Sequence, residues 1–331
     1  METPFVSILL PVYNGSSFIR ETVDSLLNQT FSNFELIIIN DCSTDSTLEI
    51  LSIYEDNRIQ IVTNSQNEGL ISVLNKGINL SKGDYIVRID ADDIAMIDRI
   101  EKQLDFLEKN SDYVLVGSAA KLIYNENKTE EVLRYFTEHS DLLFVMAYYC
   151  PIIHPSVMLR TSIIKENQLY FDYAYKHAED YAFWTKIIHF GKIKNLSESL
   201  IYYRKHTNQI SEKHTETQIE ITEKIRRSYV SNYLFDFSNE EIDYLFFDKC
   251  IKSVQFKFET LLKFDRDTKM TGESKVRFIH KKIKNLYVDA PSLLISDIFR
   301  LLSAGYFWRI KTSFTQKVIF FIKIFKSDKY V

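Results

Sequence analysis

Three carboxylates fall within four residues at Asp90-Ala91-Asp92-Asp93, directly behind the apolar run Tyr85 to Ile89. Side chains this close repel one another once shielded from water, and a hard divalent cation relieves that repulsion. All-oxygen ligands favour Mg²⁺ or Mn²⁺, which keep several waters and bridge protein carboxylates to substrate phosphates. The same residues could instead form a solvated acidic turn capping the next helix, with Asp98 as a further cap. A helix-loop-helix calcium loop is excluded, because it needs a Gly at its sixth position and a Glu at its twelfth.

Two other acidic positions carry chemistry by their placement. Asp41 closes the run Ile37-Ile38-Ile39-Asn40; an acid there contacts the ribose or base of a nucleotide, or makes an Asx turn into the following helix. Glu179-Asp180 opens an amphipathic segment. A carboxylate there can take the proton of an attacking hydroxyl as general base, or simply complement the helix dipole.

The elements that must position these groups are legible as an alternation. Phe5 to Val12, Phe34 to Asn40, Arg58 to Thr63 and Tyr85 to Ile89 read as buried strands, and Ser17 to Leu27, Asp45 to Tyr54 and Leu70 to Leu80 as helices. This alternation predicts an α/β fold with a doubly wound, mostly parallel sheet. Ligands in such sheets sit beyond the carboxyl ends of the strands, so Pro11, Tyr13, Asn14, Asp41 and the Asp90 cluster are expected to face one crevice. Further on, a helix is read from Arg99 to Lys109, strands within Tyr113 to Tyr124, a helix from Asp141 to Tyr149, and strands at Ser156 to Arg160 and Ser199 to Arg204. From Thr215 onward helical spacing dominates, which places a boundary near Glu212: a nucleotide-binding and catalytic domain over 1–211, and a mainly helical region over 212–331.

Composition sets the class. A formal net charge of -4 with 26% charged residues gives no basic excess of the kind that binds nucleic acid. The three cysteines are odd in number and match no metal-ligand spacing, which fits a reducing compartment and three small buried hydrophobes. No secretory leader and no run long enough to span a bilayer are read, so cytoplasmic residence with at most peripheral membrane contact is expected. No Gly-x-Gly-x-x-Gly follows the first strand and no phosphate-binding Gly-x-x-x-x-Gly-Lys occurs, which argues against a dehydrogenase or a P-loop enzyme.

Taken together, the chain resembles family two of the glycosyltransferases. The resemblance rests on Val6 to Asn14, Ile39 to Asp45, Asn67-Glu68-Gly69, Asn75-Lys76-Gly77 and Gly83 to Asp93. It continues through Arg99 to Gln103, His154 to Val157, Glu179-Asp180 and Tyr203-Arg204-Lys205-His206, in the family's order over roughly residues 5 to 211. It implies the glycosyltransferase-A fold and an inverting transfer of one sugar from a nucleotide diphosphate sugar, uridine being the expected base, to a glycan or lipid-linked glycan acceptor. Capsule, lipopolysaccharide or another cell-surface glycan would be the product. Pro11, Tyr13, Asn14 and Asp41 would hold the nucleotide, Asp90 the ribose or a metal-bound water, and Asp92 the metal. His206 would approach the diphosphate or metal. Asp180 would be the base, with Glu179 and His154 on the acceptor side, though a packed core histidine accounts equally for His154.

Departures from the family pattern are Leu74, where many members carry Arg, and Ile97, where Pro is frequent. The absence of a Gln-x-x-Arg-Trp stretch argues against processive synthesis. A non-catalytic nucleotide-sugar-binding protein and a sugar nucleotidyltransferase are the rival readings. At the end of the chain, cations from Arg300 to Lys329 interleave with large apolar residues, which suits an amphipathic helix on an anionic membrane surface or a packed helical subdomain.

Overall fold

A computed structural model describes residues 4–124, 127–205, 215–233, 237–247, 254–267 and several positions between 275 and 282. His206, the boundary near Glu212, Cys250 and the basic stretch 300–329 lie outside the described residues.

The chain divides into two compact units, Met1–Leu142 with Tyr149–Arg227, and Leu143–Tyr148 with Ser228–Val331. The first opens with β1 (Val6–Val12), α1 (Ile19–Leu27), β2 (Phe34–Asn40), α2 (Thr47–Leu51), β3 (Ile59–Thr63), α3 (Leu70–Leu80) and β4 (Tyr85–Arg88). It continues through β5 (Ile94–Ala95), α4 (Arg99–Lys109), β6 (Tyr113–Tyr124), β7 (Asn127–Leu133), the first part of α5 (His139–Val145, whose residues from Leu143 on belong to the second unit), β8 (Met158–Arg160), α6 (Thr161–Glu166), α7 (Glu179–Ile187) and β9 (Lys192–Lys205). The strands form one sheet in the order β3-β2-β1-β4-β8-β6-β9-β5, with β7 added on β6. β1 pairs in parallel with β2 and β4, and β2 with β3. β8 then runs antiparallel to β4 and to β6.

Strands flanked on both sides and covered on both faces are apolar at most positions. β2 is buried at every position and β1 at six of seven. α1 and α4 place Ile19, Val23, Leu26, Ile100, Leu104 and Leu107 against one face of these strands, at helical spacing.

Pro11 shows how β1 opens the crevice. Leu9 faces β4, since its carbonyl accepts from Ile89 N–H at 3.2 Å, and the β4 register stops there. Two residues on, Pro11 faces the same way with no strand beside it. A residue without an N–H costs no ladder bond at that place.

The sequence misses three features. β5 has two residues and β7 is rich in Lys, Thr and Glu, so neither carries a buried-strand pattern. β9 begins at Lys192 rather than near Ser199, its first half being a partly exposed alternation.

The second unit contains helical residues 215–233 from Ser228 on, Asn239–Ile242 and Val254–Asp267. Phe144, Tyr148, Phe246, Phe264 and Phe278 pack ring against ring at centroid separations of 5.4 to 5.9 Å. Tyr229 donates its hydroxyl to the Leu143 carbonyl at 2.6 Å. Among the described residues, no helix is long and apolar enough to cross a membrane.

Candidate active site

The loops behind β1 and β2 brace each other. Asn14, at φ 50°, accepts the Thr44 N–H at 2.8 Å and donates its own N–H to the Ser43 hydroxyl at 2.9 Å. Asp45 accepts Ser16 N–H at 3.0 Å and the Thr47 hydroxyl at 2.5 Å. Against the cost of burial, these bonds hold the Asp45 carboxyl down at about 2. Tyr13, 50% exposed, is left free to present its ring.

Asp41 is buried, and its carboxylate accepts from Asn64 Nδ2 at 2.8 Å, Glu68 N–H at 2.9 Å and Gly69 N–H at 2.8 Å. Gly69 stands at φ 85°, a conformation glycine adopts without a Cβ penalty, and this aims its amide at Asp41. Asp41 thus ties the end of β2 to the start of α3.

The acidic cluster sits in the turn between β4 and β5. Asp90, Asp92 and Asp93 each offer an oxygen, and these oxygens lie within 4.8 Å of one another. At that spacing and an effective dielectric near 20, each pair of charges repels by about 3 kcal/mol. The turn is held from two sides: Thr22 of α1 donates to the Ala91 carbonyl at 2.9 Å, and Arg204 Nε of β9 donates to the Asp92 carbonyl at 2.7 Å. Asp93 is 1% exposed; its Oδ1 accepts Arg204 N–H, and its Oδ2 is buried with no hydrogen-bond partner. Burial, and then the facing Asp92 and Asp90 carboxylates, push Asp93 well above the usual range. Burial also raises Asp90, opposed by Arg88, whose guanidinium grips it at 2.6 and 2.5 Å. An orphaned buried oxygen beside mutually repelling carboxylates fits a divalent cation, which would satisfy the first and neutralise the second.

Asp180 lies in the first turn of α7. Its carboxylate reaches Asp90 electrostatically, so the two acidic groups share one site. Oδ2 stands 4.0 Å from Cys150 Sγ and 3.9 Å from His154 Nδ1, while Oδ1 accepts Tyr181 N–H at 2.7 Å. Burial raises Asp180, opposed by that N–H and by Arg88. Glu179 is pushed up to about 7 by burial and then by the Asp180 charge. His154 is wedged between Phe171 and Trp184, with ring centroids at 5.6 Å from each, and burial followed by Arg88 drives it well below its usual value. It is a packed histidine beside Asp180 rather than in open solvent.

Arg88, Arg204 and Tyr203 belong to this site; the sequence places them in stretches that match the family but assigns them no role. Arg88 is 4% exposed in an otherwise apolar strand, and such a buried cation two residues before an acidic turn was the available signal. Leu74 is buried and lines a small apolar cavity with Ile78, Phe171 and Phe183. Ile97 is 62% exposed. Cys42 is partly exposed rather than buried, and its thiol meets the Ser65 carbonyl at 3.7 Å.

A family model described as Glycosyl transferase family 2 matches residues 7–195. An uncharacterized glycosyltransferase of Haemophilus influenzae is 37% identical over 241 residues, covering 70% of this chain and 75% of its own. A UDP-Glc:alpha-D-GlcNAc-diphosphoundecaprenol beta-1,3-glucosyltransferase of Escherichia coli, WfaP, is 31% identical over 208 residues, 62% of this chain and 79% of its own. The crystal structure of S. aureus TarS 1-349 with UDP superposes with a TM-score of 0.57 at 19% identity, covering 91% of this chain and 89% of that one. That likeness shows the fold.

Proposed function

The chain belongs to glycosyltransferase family 2, and from that premise we propose that it transfers one sugar, with inversion, from a uridine diphosphate sugar to a hydroxyl of a glycan or lipid-linked glycan. The observation that carries this reading is the single site in which Asp180 stands within electrostatic reach of the Asp90, Asp92 and Asp93 turn. WfaP is named for a UDP-glucose donor and a diphosphoundecaprenol-linked acceptor, and TarS was crystallised with UDP and with UDP-GlcNAc. These support the donor class and an acceptor on a lipid carrier.

Asp180 supplies the base. The acceptor hydroxyl oxygen bonds to the anomeric carbon as the bond from that carbon to the diphosphate oxygen breaks. The leaving electron pair departs with the diphosphate, and the hydroxyl proton passes to Oδ2 of Asp180. A single displacement of this kind inverts the anomeric configuration. A base with a raised pKa accepts a proton more readily, which the burial of Asp180 provides. Arg88 fixes Asp90 toward the ribose, and Tyr13, Pro11 and Asn14 line the nucleotide end. Asp41 orders the loop that borders it. Glu179 and His154 confine the acceptor side, His154 by packing beside the base.

Asp92, with Asp90 and Asp93, would hold Mg²⁺ or Mn²⁺, and His206 is the expected further ligand. When bound, such an ion supplies a positive partner for charge growing on the diphosphate.

The test is a screen of the purified protein against nucleotide sugars with Mn²⁺, scoring both transfer and slow donor hydrolysis. Release of free sugar from a UDP-sugar supports the reading. Synthesis of a nucleotide sugar from sugar phosphate and UTP would favour a nucleotidyltransferase, and binding without turnover a non-catalytic receptor.

A further inference from the structure

A row of tyrosines leads outward from the acidic turn past Asp180. Tyr203 lies beside Asp90, Asp93 and Asp92, whose charges, after burial, raise its hydroxyl. Tyr203 and Tyr135 pack on the same small cluster of Ala120, Ile153 and Ile201. Tyr135 meets Tyr149 with ring centroids 5.9 Å apart and planes inclined by 35°. Tyr149 is 39% exposed and directly precedes Cys150, whose Sγ is 4.0 Å from the Asp180 carboxylate. Burial, then the neighbouring Cys150, Tyr149 and Asp180, raise Tyr135.

The pair is held in place. Asn195, 3% exposed, donates from Nδ2 to the Phe136 carbonyl at 2.9 Å and to the Pro151 carbonyl at 2.8 Å. One buried amide therefore clamps the two chain segments that carry Tyr135 and Tyr149. Rigid aromatic rings, with two side-chain torsions each, offer contact area at small entropic cost. An aromatic face is electron-rich and prefers a partner with partial positive hydrogens. The C–H face of a pyranose is such a partner; an acyclic polyol or a peptide hydroxyl presents no comparable flat face.

We propose that Tyr149 and Tyr135 form the acceptor subsite, on which the C–H face of a pyranose ring rests with one hydroxyl turned toward Asp180. This rests on the transferase reading above and adds to it: the acceptor is a sugar ring, and Tyr149 is a specificity determinant for it.

The test compares wild type with Y149A, Y149W and Y135A, each checked for an unchanged melting profile. Octyl pyranosides and ribitol serve as acceptors, with UDP-glucose or UDP-GlcNAc and Mn²⁺. Y149A is expected to raise KM for the pyranoside between about three- and tenfold, with donor hydrolysis in the absence of acceptor within twofold of wild type. Y149W restores binding. An unchanged KM in both Y149A and Y135A, or ribitol used as well as the pyranosides, overturns the proposal. Saturation-transfer NMR separates the two readings. Should wild type neither transfer nor hydrolyse a donor, yet pass magnetisation to an octyl pyranoside in a Tyr149-dependent way, the transferase reading fails and the sugar subsite stands.

Discussion

The main-chain N–H of Arg204 donates to Oδ1 of Asp93 at 2.9 Å, across 111 residues of chain. The same residue's guanidinium, 2% exposed, reaches the Asp92 carbonyl at 2.7 Å and Glu21 at 2.6 Å, and lies 4.5 Å from the centre of the Phe18 ring. The end of β9 is thereby stapled to both the acidic turn and α1. The clustered carboxylates are thus kept at close range by bonds to the groups beside them, and two of these bonds come from Arg204.

Replacing Arg204 by Ala should therefore loosen the turn without removing any carboxylate. The Mn²⁺ concentration for half-maximal activity is expected to rise by about tenfold, the size of effect seen when a supporting partner of a metal ligand is lost. Stability should fall by about 2 kcal/mol through the lost charged hydrogen bonds. Metal titrations of R204A and R204K check this, and unaltered metal dependence in R204A contradicts it.

On the mechanism proposed above, Asp180→Asn keeps the shape of the base and removes its ability to take a proton. Transfer should drop by about 10² to 10⁴-fold, while UDP affinity stays within twofold. Because burial raises Asp180, the acid limb of the wild-type rate profile should lie above the usual aspartate range. Steady-state rates of the variant and a wild-type pH profile check both points.

Glu179 predicts a pH dependence of stability with a definite sign. Its carboxyl is raised from 4.5 to about 7 in the folded chain, so the native state binds that proton more tightly than the unfolded state. The associated stability is fully present below about pH 4.5 and is lost as pH rises through 7, on the order of 3 kcal/mol. Asp90, Asp93 and Asp180 are shifted in the same direction, so the comparison with Glu179→Gln isolates its share. Denaturant melts in chelator at pH 5 and pH 8 should show the wild type losing more stability than E179Q; equal losses contradict the assignment.

The sheet was legible because β1, β2, β3 and β4 are short apolar runs punctuated by helices, and the acidic turn because three aspartates at a strand end are chemically conspicuous. Asp180 needed the family resemblance, since an acid in a first helical turn has an ordinary explanation in the helix dipole. Arg204 and Tyr203 stand in a stretch that matches the family, but their roles could not be read from local pattern. Their importance comes from contact with residues more than a hundred positions away, which only the pairing of β9 with β6 and β5 creates. β7 escaped notice for the opposite reason: it pairs at a polar edge, where no apolar alternation is required. Tyr135 and Tyr149 read as two among 20 tyrosines until the fold sets their rings together beside the segment that carries Cys150.

The central claim is that the Asp90, Asp92 and Asp93 turn captures a divalent ion that in turn grips a nucleoside diphosphate. Calorimetric titration of UDP into wild type and Asp92→Asn, each with Mn²⁺ and with chelator, tests it most directly. Wild type should bind UDP at least about tenfold more tightly with Mn²⁺ than with chelator, and the variant should lose that gain. Equal UDP affinity in all four titrations would contradict the claim.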